Sequence, residues 1–286
     1  MKFYTNKKAL EKKEAIMKIP NMIYGTAWKK EATSALVFEA LKQGFKGIDT
    51  ACQPKHYRED LVGLGLLKAY ELGIKRDDIF LQTKFTPIEG QDLNNMPYLP
   101  TDEIEIQVGK SFETSKKNLK TDFIDAYILH SPIFPGTKLL RVWQTMETFY
   151  DNKEVKQLGI SNCYDLDVLE YLYHHARIKP TVVQNRFYAQ SNYDKTIRAF
   201  CLHNGITYES FWSLTANPHI LESAVLNHLA NKYQRSVAEI FYRFLNHIHI
   251  VPLNGTTSTQ HMIEDLKISE FELLDNEIND IILLLN

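Results

Sequence analysis

Gly47-Ile48-Asp49-Thr50-Ala51-Cys52-Gln53-Pro54-Lys55-His56-Tyr57-Arg58-Glu59 sets a carboxylate where an apolar run, Phe45 to Ile48, stops. A proline-containing turn follows, then His56-Tyr57, then a charged helix start. A carboxylate at the C-terminal end of a strand, with a tyrosine in the next loop, suits proton transfer when a cation stands nearby. Read alone, the stretch is equally a turn capped by Asp49 with a surface tyrosine beside it. The residues that close the other strands decide between the two.

Outward from this stretch, strand-like and helix-like segments alternate along the chain. Strands are expected at Met22–Ala27, Phe45–Thr50, Ile79–Lys84, Phe123–His130, Val155–Ser161, Thr181–Phe187, Ile206–Trp212 and Ile248–Leu253. Helical patterns lie at Glu31–Gln43, Asp60–Leu72, Glu103–Leu119, Leu139–Asn152, Asp165–Arg177, Tyr193–Asn204, Ser223–Tyr233, Val237–His247, Ser258–Leu266 and Phe271–Leu285, several ended by glycine. Eight strands each followed by helix imply a parallel sheet, open or closed. No Gly-x-Gly-x-x-Gly turn follows the first strand, which weighs against the open dinucleotide-binding form. The pattern predicts an α/β fold of the (β/α)8 TIM-barrel class, one domain over residues 1–286. Such a barrel carries its active site at the C-terminal ends of the strands.

Composition narrows the function. With 44% hydrophobic and 24% charged residues and a net charge of −2, nothing argues for nucleic acid or an anionic membrane surface. The basic run Lys7–Lys13 reads as a solvated face or a frayed end. Three cysteines, Cys52, Cys163 and Cys201, without metal-ligand spacing fit a reducing compartment. No cleavable signal or long apolar stretch appears, and a cytoplasmic protein is expected. The histidines are scattered, so no metal is expected.

Polar residues close the expected strands: Asp49, Lys84, His130, Ser161 with Asn162, Gln184 and Asn254. A lysine there is costly unless paired. A single strand-end histidine is more often structural than catalytic, but several such residues converging on one mouth form a site. Here the chain resembles the aldo-keto reductases over nearly its whole length. The resemblance rests on Gly44 with Asp49-Thr50-Ala51, Tyr57 and Glu59, on Leu81-Gln82-Thr83-Lys84, on Asp122 through Pro132 around His130, on Gly159-Ile160-Ser161-Asn162, and on Gln184. Five motifs in order are far more specific than any one.

The resemblance implies reduction of a small aldehyde or ketone by NADPH or NADH. Tyr57 would be the general acid. Lys84 would lower the phenol pKa, Asp49 would hold Lys84 charged, and His130 would orient the carbonyl. Ser161, Asn162 and Gln184 would fix the nicotinamide carboxamide, and Phe211 would stack on the ring. Thr26, Ser213, Leu214, Leu253, Asn254, Gly255, Thr256, Glu264 and Asp265 would complete the cofactor site. Trp28, His56, Tyr188 and Trp212, with the Thr86–Pro100 loop, would shape the substrate pocket. A monomer is expected.

Two departures bear on these roles. Pro54 occupies the usual tyrosine position, and an ungapped alignment back from Glu59 and Gly63 would substitute His56 for Tyr57. Tyr57 is preferred, because the mechanism needs a phenol and a loop takes a short insertion easily. The last strand reads Val251-Pro252-Leu253-Asn254-Gly255-Thr256, with no cation until Lys267, which puts NADPH preference in doubt and leaves NADH open. Two other readings remain: a catalytically weak nucleotide-binding sensor or interaction subunit, and a barrel enzyme using Lys84 as a Schiff-base nucleophile.

Overall fold

Eight short parallel strands close on themselves in sequence order, the first pairing with both the second and the last. They are β1 (Ile23–Gly25), β2 (Gly47–Asp49), β3 (Phe80–Phe85), β4 (Ile124–Leu129), β5 (Val155–Ser161), β6 (Val182–Arg186), β7 (Thr207–Phe211) and β8 (Ile250–Asn254). The computed structural model describes residues 19–285, so the basic run Lys7–Lys13 lies outside the described residues. The closed (β/α)8 TIM barrel is the fold the alternation predicts.

The outer layer comprises α1 (Thr33–Gln43), α2 (Glu59–Glu71), α3 (Ile104–Leu119), α4 (Gly136–Asp151), α5 (Leu166–His175), α6 (Lys195–His203), α7 (Pro218–Leu221), α8 (Ala224–Tyr233), α9 (Val237–His247), α10 (Thr259–Leu266) and α11 (Asp275–Ile282). Local chemistry sets several of their ends. The Asp165 carboxylate accepts from the Asp167 amide at the start of α5, and Ser236 with Glu239 forms a reciprocal capping box on α9. Gly44 ends α1 at φ +118°, a left-handed conformation that glycine adopts without a Cβ clash. The strands are shorter than their apolar runs suggest, because those runs continue into the loops at both ends. The short α7, opened by Pro218, carries too few residues to show a period, and the sequence reading misses it.

Strand alternation divides the side chains between two cores. Outward-facing residues meet the helices in one continuous apolar layer that includes Trp143, Phe112, Tyr127 and Phe244. Phe112 stacks on Phe149 with ring centroids 4.2 Å apart. Inside the barrel, Ile23, Phe80, Ala126 and Leu253 form a small apolar cluster. Above it the interior turns polar, with Asp49, Gln82, Lys84, Gln184 and Glu209 all buried. Filling a barrel with charged and amide groups is costly unless each finds a partner, and that requirement organises the site.

Helices α2 and α3 approach closely at Gly63, where an added Cβ would lie 1.9 Å from the Asn118 carbonyl oxygen. Gly63→Ala is expected to lower unfolding stability by about 3 kcal/mol or more, since the obstacle is backbone. Urea denaturation measures it, and an unchanged midpoint would mean that the two helices separate freely.

Candidate active site

A buried ion pair lies at the centre of the mouth. Lys84, on β3, is fully buried, and its Nζ donates to Asp49 Oδ1 at 2.5 Å and to the Thr50 carbonyl at 2.9 Å. Two amides also reach Asp49 Oδ1, Gln82 Nε2 at 2.8 Å and Gln184 Nε2 at 3.0 Å. The same two nitrogens donate to Glu209 Oε2, each at 2.8 Å. Two carboxyl groups are thus bridged by two amides, with one cation on one side. Burial pushes the Glu209 carboxyl up to about 7, with the Asp49 charge adding to the rise and the two amides and Lys84 opposing it.

Tyr57 and His130 stand over this pair. Lys84 Nζ lies 5.5 Å from the Tyr57 ring centroid, and the Tyr57 and His130 rings meet edge to face at 6.1 Å. Burial, with the Asp49 charge behind it, pushes the Tyr57 phenol above its ordinary value. This reverses the direction expected from Lys84 alone, because Asp49 offsets the lysine charge while desolvation opposes the phenolate. Tyr57 is therefore held as the phenol. Burial and then the Lys84 charge bring His130 down to about 3, so its imidazole is neutral at physiological pH. His130 Nδ1 shares a 2.7 Å hydrogen bond with Thr86 Oγ1, which leaves Nε2 for a ligand. The chain thus folds so that Tyr57, not His56, meets Lys84 and His130. The His56 ring packs on Trp28 at 3.8 Å instead, and its backbone carbonyl accepts from the Trp28 amide at 2.8 Å.

These residues line a cleft of about 880 Å³ that runs across the barrel mouth. Asp49, His56, Tyr57, His130 and Trp28 form one end, and Ser161, Asn162, Gln184 and Phe211 lie alongside. Trp212, Ser213, Leu214, Leu253, Asn254, Gly255, Thr256, Glu264 and Asp265 line it as well. Three sequence-selected residues do not. Lys84 lies beneath the floor. Thr26 is buried with its hydroxyl donating to the Asp49 carbonyl at 2.9 Å. Tyr188 is half-buried, edge to face with Tyr164 and under the Arg186 guanidinium. The Thr86–Pro100 loop also stays off the lining, although Thr86 holds His130 and the Gly90 carbonyl accepts from Gln53 Nε2 at 2.5 Å. Ser161 donates to the Gln184 carbonyl at 2.7 Å, and Asn162 Nδ2 to the His130 carbonyl at 2.9 Å, so both also brace neighbouring strands.

Lys29 is the principal residue missed by the sequence reading. It follows β1, far from β8 in sequence, yet it lines the cleft and its Nζ donates to the Gly255 carbonyl. Burial lowers its pKa. The last strand is therefore not without a cation, because the barrel closure brings β1 to it. Only the strand order reveals this. Around it, Asn254 Oδ1 accepts from the Thr256 amide at 2.7 Å, while Asn254 Nδ2 donates to Asp265, whose carboxyl burial raises to about 7. Gln53, Thr215, Ser236, Ala238, Tyr242 and His261 are further lining residues that the sequence did not single out. Among the described residues no group of three or more His, Cys, Asp or Glu is arranged to hold a metal, and no helix is long and apolar enough to cross a membrane. All three cysteines are free and buried.

A family model described as the Aldo/keto reductase family matches residues 21–284. The chain is 30% identical to a glyoxal reductase of Bacillus subtilis (strain 168) over 252 residues, 88% of this chain and 82% of the relative. It is 27% identical to an NAD(P)H-dependent 6'-deoxychalcone synthase of Glycine max, with 87% and 80% of the two chains covered. A crystal structure of an aldo/keto reductase from Brucella melitensis superposes with a TM-score of 0.79 at 27% identity, over 94% of this chain and 95% of that one. The chain belongs to the aldo/keto reductase family and is an oxidoreductase.

Removing one partner of the central ion pair leaves a buried charge with reduced compensation. Lys84→Met is expected to cost about 3–5 kcal/mol of unfolding stability. Arg141→Ala, which breaks a 2.7 Å pair with Glu105 between half-exposed side chains, is expected to cost under about 1 kcal/mol. Chemical denaturation of the two variants in parallel checks the contrast, and equal losses would show that burial does not distinguish the pairs.

Proposed function

We propose that the protein reduces aldehydes or ketones using NADPH or NADH, with Tyr57 as the general acid. The observation that carries this reading is the grouping of Tyr57 with His130 over Lys84 in a cleft that is also lined by Ser161, Asn162, Gln184, Asn254, Thr256 and Lys29. The nicotinamide supplies the hydride when bound. The chain's residues supply the rest.

A carbonyl oxygen seated between Tyr57 and His130 meets two donors. The neutral His130 imidazole, its Nδ1 engaged by Thr86, offers Nε2–H and fixes the direction of the carbonyl. Tyr57, kept protonated by burial, transfers its hydroxyl proton as negative charge builds on that oxygen. Lys84 then lies beneath the phenolate that forms. Its charge acts at the moment of transfer, when the product of that transfer needs it. Asp49, Gln82 and Gln184 keep Lys84 aligned. The lysine nitrogen is tied to Asp49 and to the Thr50 carbonyl and does not line the cleft, which weighs against Schiff-base chemistry.

The remaining lining fits a nicotinamide nucleotide. Ser161, Asn162 and Gln184 offer carboxamide partners beside the aromatic face of Phe211. Ser213, Leu214, Leu253, Asn254, Gly255 and Thr256 form a wall with backbone and hydroxyl groups, and Glu264 and Asp265 close its end. Lys29 adds the cation that a phosphate requires for a strong, charge-assisted bond. A similar protein, the Glycine max relative, carries NAD(P)H dependence in its name. The exposed indoles of Trp28 and Trp212 flank the mouth and suit small carbonyl compounds with apolar bodies. One chain carries every residue of the cleft, and we infer that it works as a single-domain monomer.

Steady-state oxidation of NADPH and of NADH with a small aromatic aldehyde tests the reading. Wild type is expected to turn over, Tyr57→Phe to lose roughly 100- to 10,000-fold in kcat, and His56→Ala to stay within about tenfold. A dead His56→Ala beside an active Tyr57→Phe would transfer the acid role to His56. Cofactor binding without turnover of any reactive carbonyl would favour the sensor reading. For the phosphate site, Lys29→Ala is expected to raise the cofactor dissociation constant about tenfold or more. Titrating intrinsic tryptophan fluorescence reads it, and an unchanged constant would remove Lys29 from the site.

A further inference from the structure

The buried Glu209 has no part in the mechanism above, yet it is tied to Gln184, which lines the cleft. It projects inward from β7, fully buried, beside Gln184 across the β6–β7 ladder. Its Oε2 accepts from Gln184 Nε2 and Gln82 Nε2, and each of those nitrogens gives its other hydrogen to Asp49 Oδ1. An amide nitrogen carries two hydrogens, so both are used. The amide oxygens must therefore turn away from the carboxyl groups. A flipped amide would set its carbonyl against two carboxyl oxygens, which is repulsive. Gln82 Oε1 is buried without a hydrogen-bond partner among the described residues, whereas Gln184 lines the cleft.

We propose that Glu209 is a positioning residue: with Asp49 it clamps the Gln184 amide so that Oε1 faces the cleft, as the acceptor for the carboxamide N–H of a nicotinamide. This rests on the nicotinamide reading of the cleft. Asp49 alone would hold one N–H and leave the amide free to swing. Glu209 supplies the second contact and removes that freedom, which fixes the face of the ring that is presented.

Glu209 also brings a titratable charge beside the amide that would hold the nicotinamide carboxamide. The charged groups that face it are Asp49 on β2 and Lys84 on β3, while Gln82 and Gln184 face it as neutral donors and its β8 neighbour Val251 carries no charge. With its carboxyl pushed up to about 7 by burial, Glu209 gains negative charge as pH rises through neutrality. The oxidised nicotinamide is a cation and the reduced one is neutral. Ionised Glu209 therefore favours the oxidised cofactor.

The test compares the full-length wild type with Glu209→Leu and Glu209→Gln. Dissociation constants for NADPH and NADP⁺ are read by fluorescence, and hydride-face selectivity is read with cofactor deuterated at either C4 position. Glu209→Leu is expected to weaken NADPH about tenfold and to degrade face selectivity, raising KM more than it lowers kcat. Glu209→Gln keeps an acceptor oxygen in place and is expected to bind NADPH within about twofold of wild type. In wild type, the affinity of NADP⁺ relative to NADPH should rise from about pH 6 to about pH 8, and Glu209→Gln should abolish that rise. A folded Glu209→Leu with wild-type constants and selectivity would overturn the proposal. Should Glu209→Leu fail to fold, the Glu209→Gln comparison decides: an unaltered pH dependence or a large loss of affinity overturns the role. Wild type that binds neither nucleotide would instead sink the nicotinamide reading itself.

Discussion

The ion pair between Lys84 and Asp49 is the constraint from which the rest of the site follows. Two charges inside a barrel are tolerated only when their remaining hydrogen-bonding capacity is met nearby. Asp49 meets it with Gln82 and Gln184, and those amides in turn require Glu209. The layer is therefore a set of mutual partners around Asp49 Oδ1 and Glu209 Oε2, and replacing any member leaves another exposed to a low dielectric. Tyr57 and His130 take their protonation states from the same surroundings, the phenol kept protonated and the imidazole kept neutral by burial. The burial that makes the pair costly also leaves its charges little screened where they face the Tyr57 phenol.

The rim above this layer carries backbone strain. Trp28, Asn162 and Trp212 all have positive φ, at 64°, 53° and 57°. Asparagine accepts that region readily, whereas a tryptophan there is unusual. All three follow strand ends and line the cleft. Strain at the two tryptophans of the mouth is consistent with side chains held in place for a ligand.

Much of this was legible in the sequence because the barrel repeats a simple pattern. Alternating apolar strands and amphipathic helices gave the closed fold, and the polar residues that interrupt strand ends gave Asp49, Lys84, His130, Ser161 and Gln184. A linear alignment leaves the choice between His56 and Tyr57 open, and the fold adds that the turn from Gln53 to Tyr57 packs His56 against Trp28 while Tyr57 faces Lys84 and His130. Other features arise only on closure. Lys29 reaches Gly255 because β1 is the neighbour of β8. Glu209 looks like an ordinary strand residue until β2, β3, β6 and β7 bring two carboxyl groups and two amides together. The rise in the Tyr57 pKa likewise depends on how much water the folded cleft excludes, which no motif encodes.

The measurement that bears most directly on the centre of the site is the single-turnover rate of hydride transfer to an aromatic aldehyde in enzyme preloaded with cofactor, for wild type and Tyr57→Phe. Preloading separates chemistry from binding. Unchanged cofactor binding with a transfer rate lowered at least about 100-fold is expected if the phenol over Lys84 donates the proton. A transfer rate that survives the loss of that hydroxyl would contradict the assignment of Tyr57 and, with it, the role given to the buried Lys84–Asp49 pair.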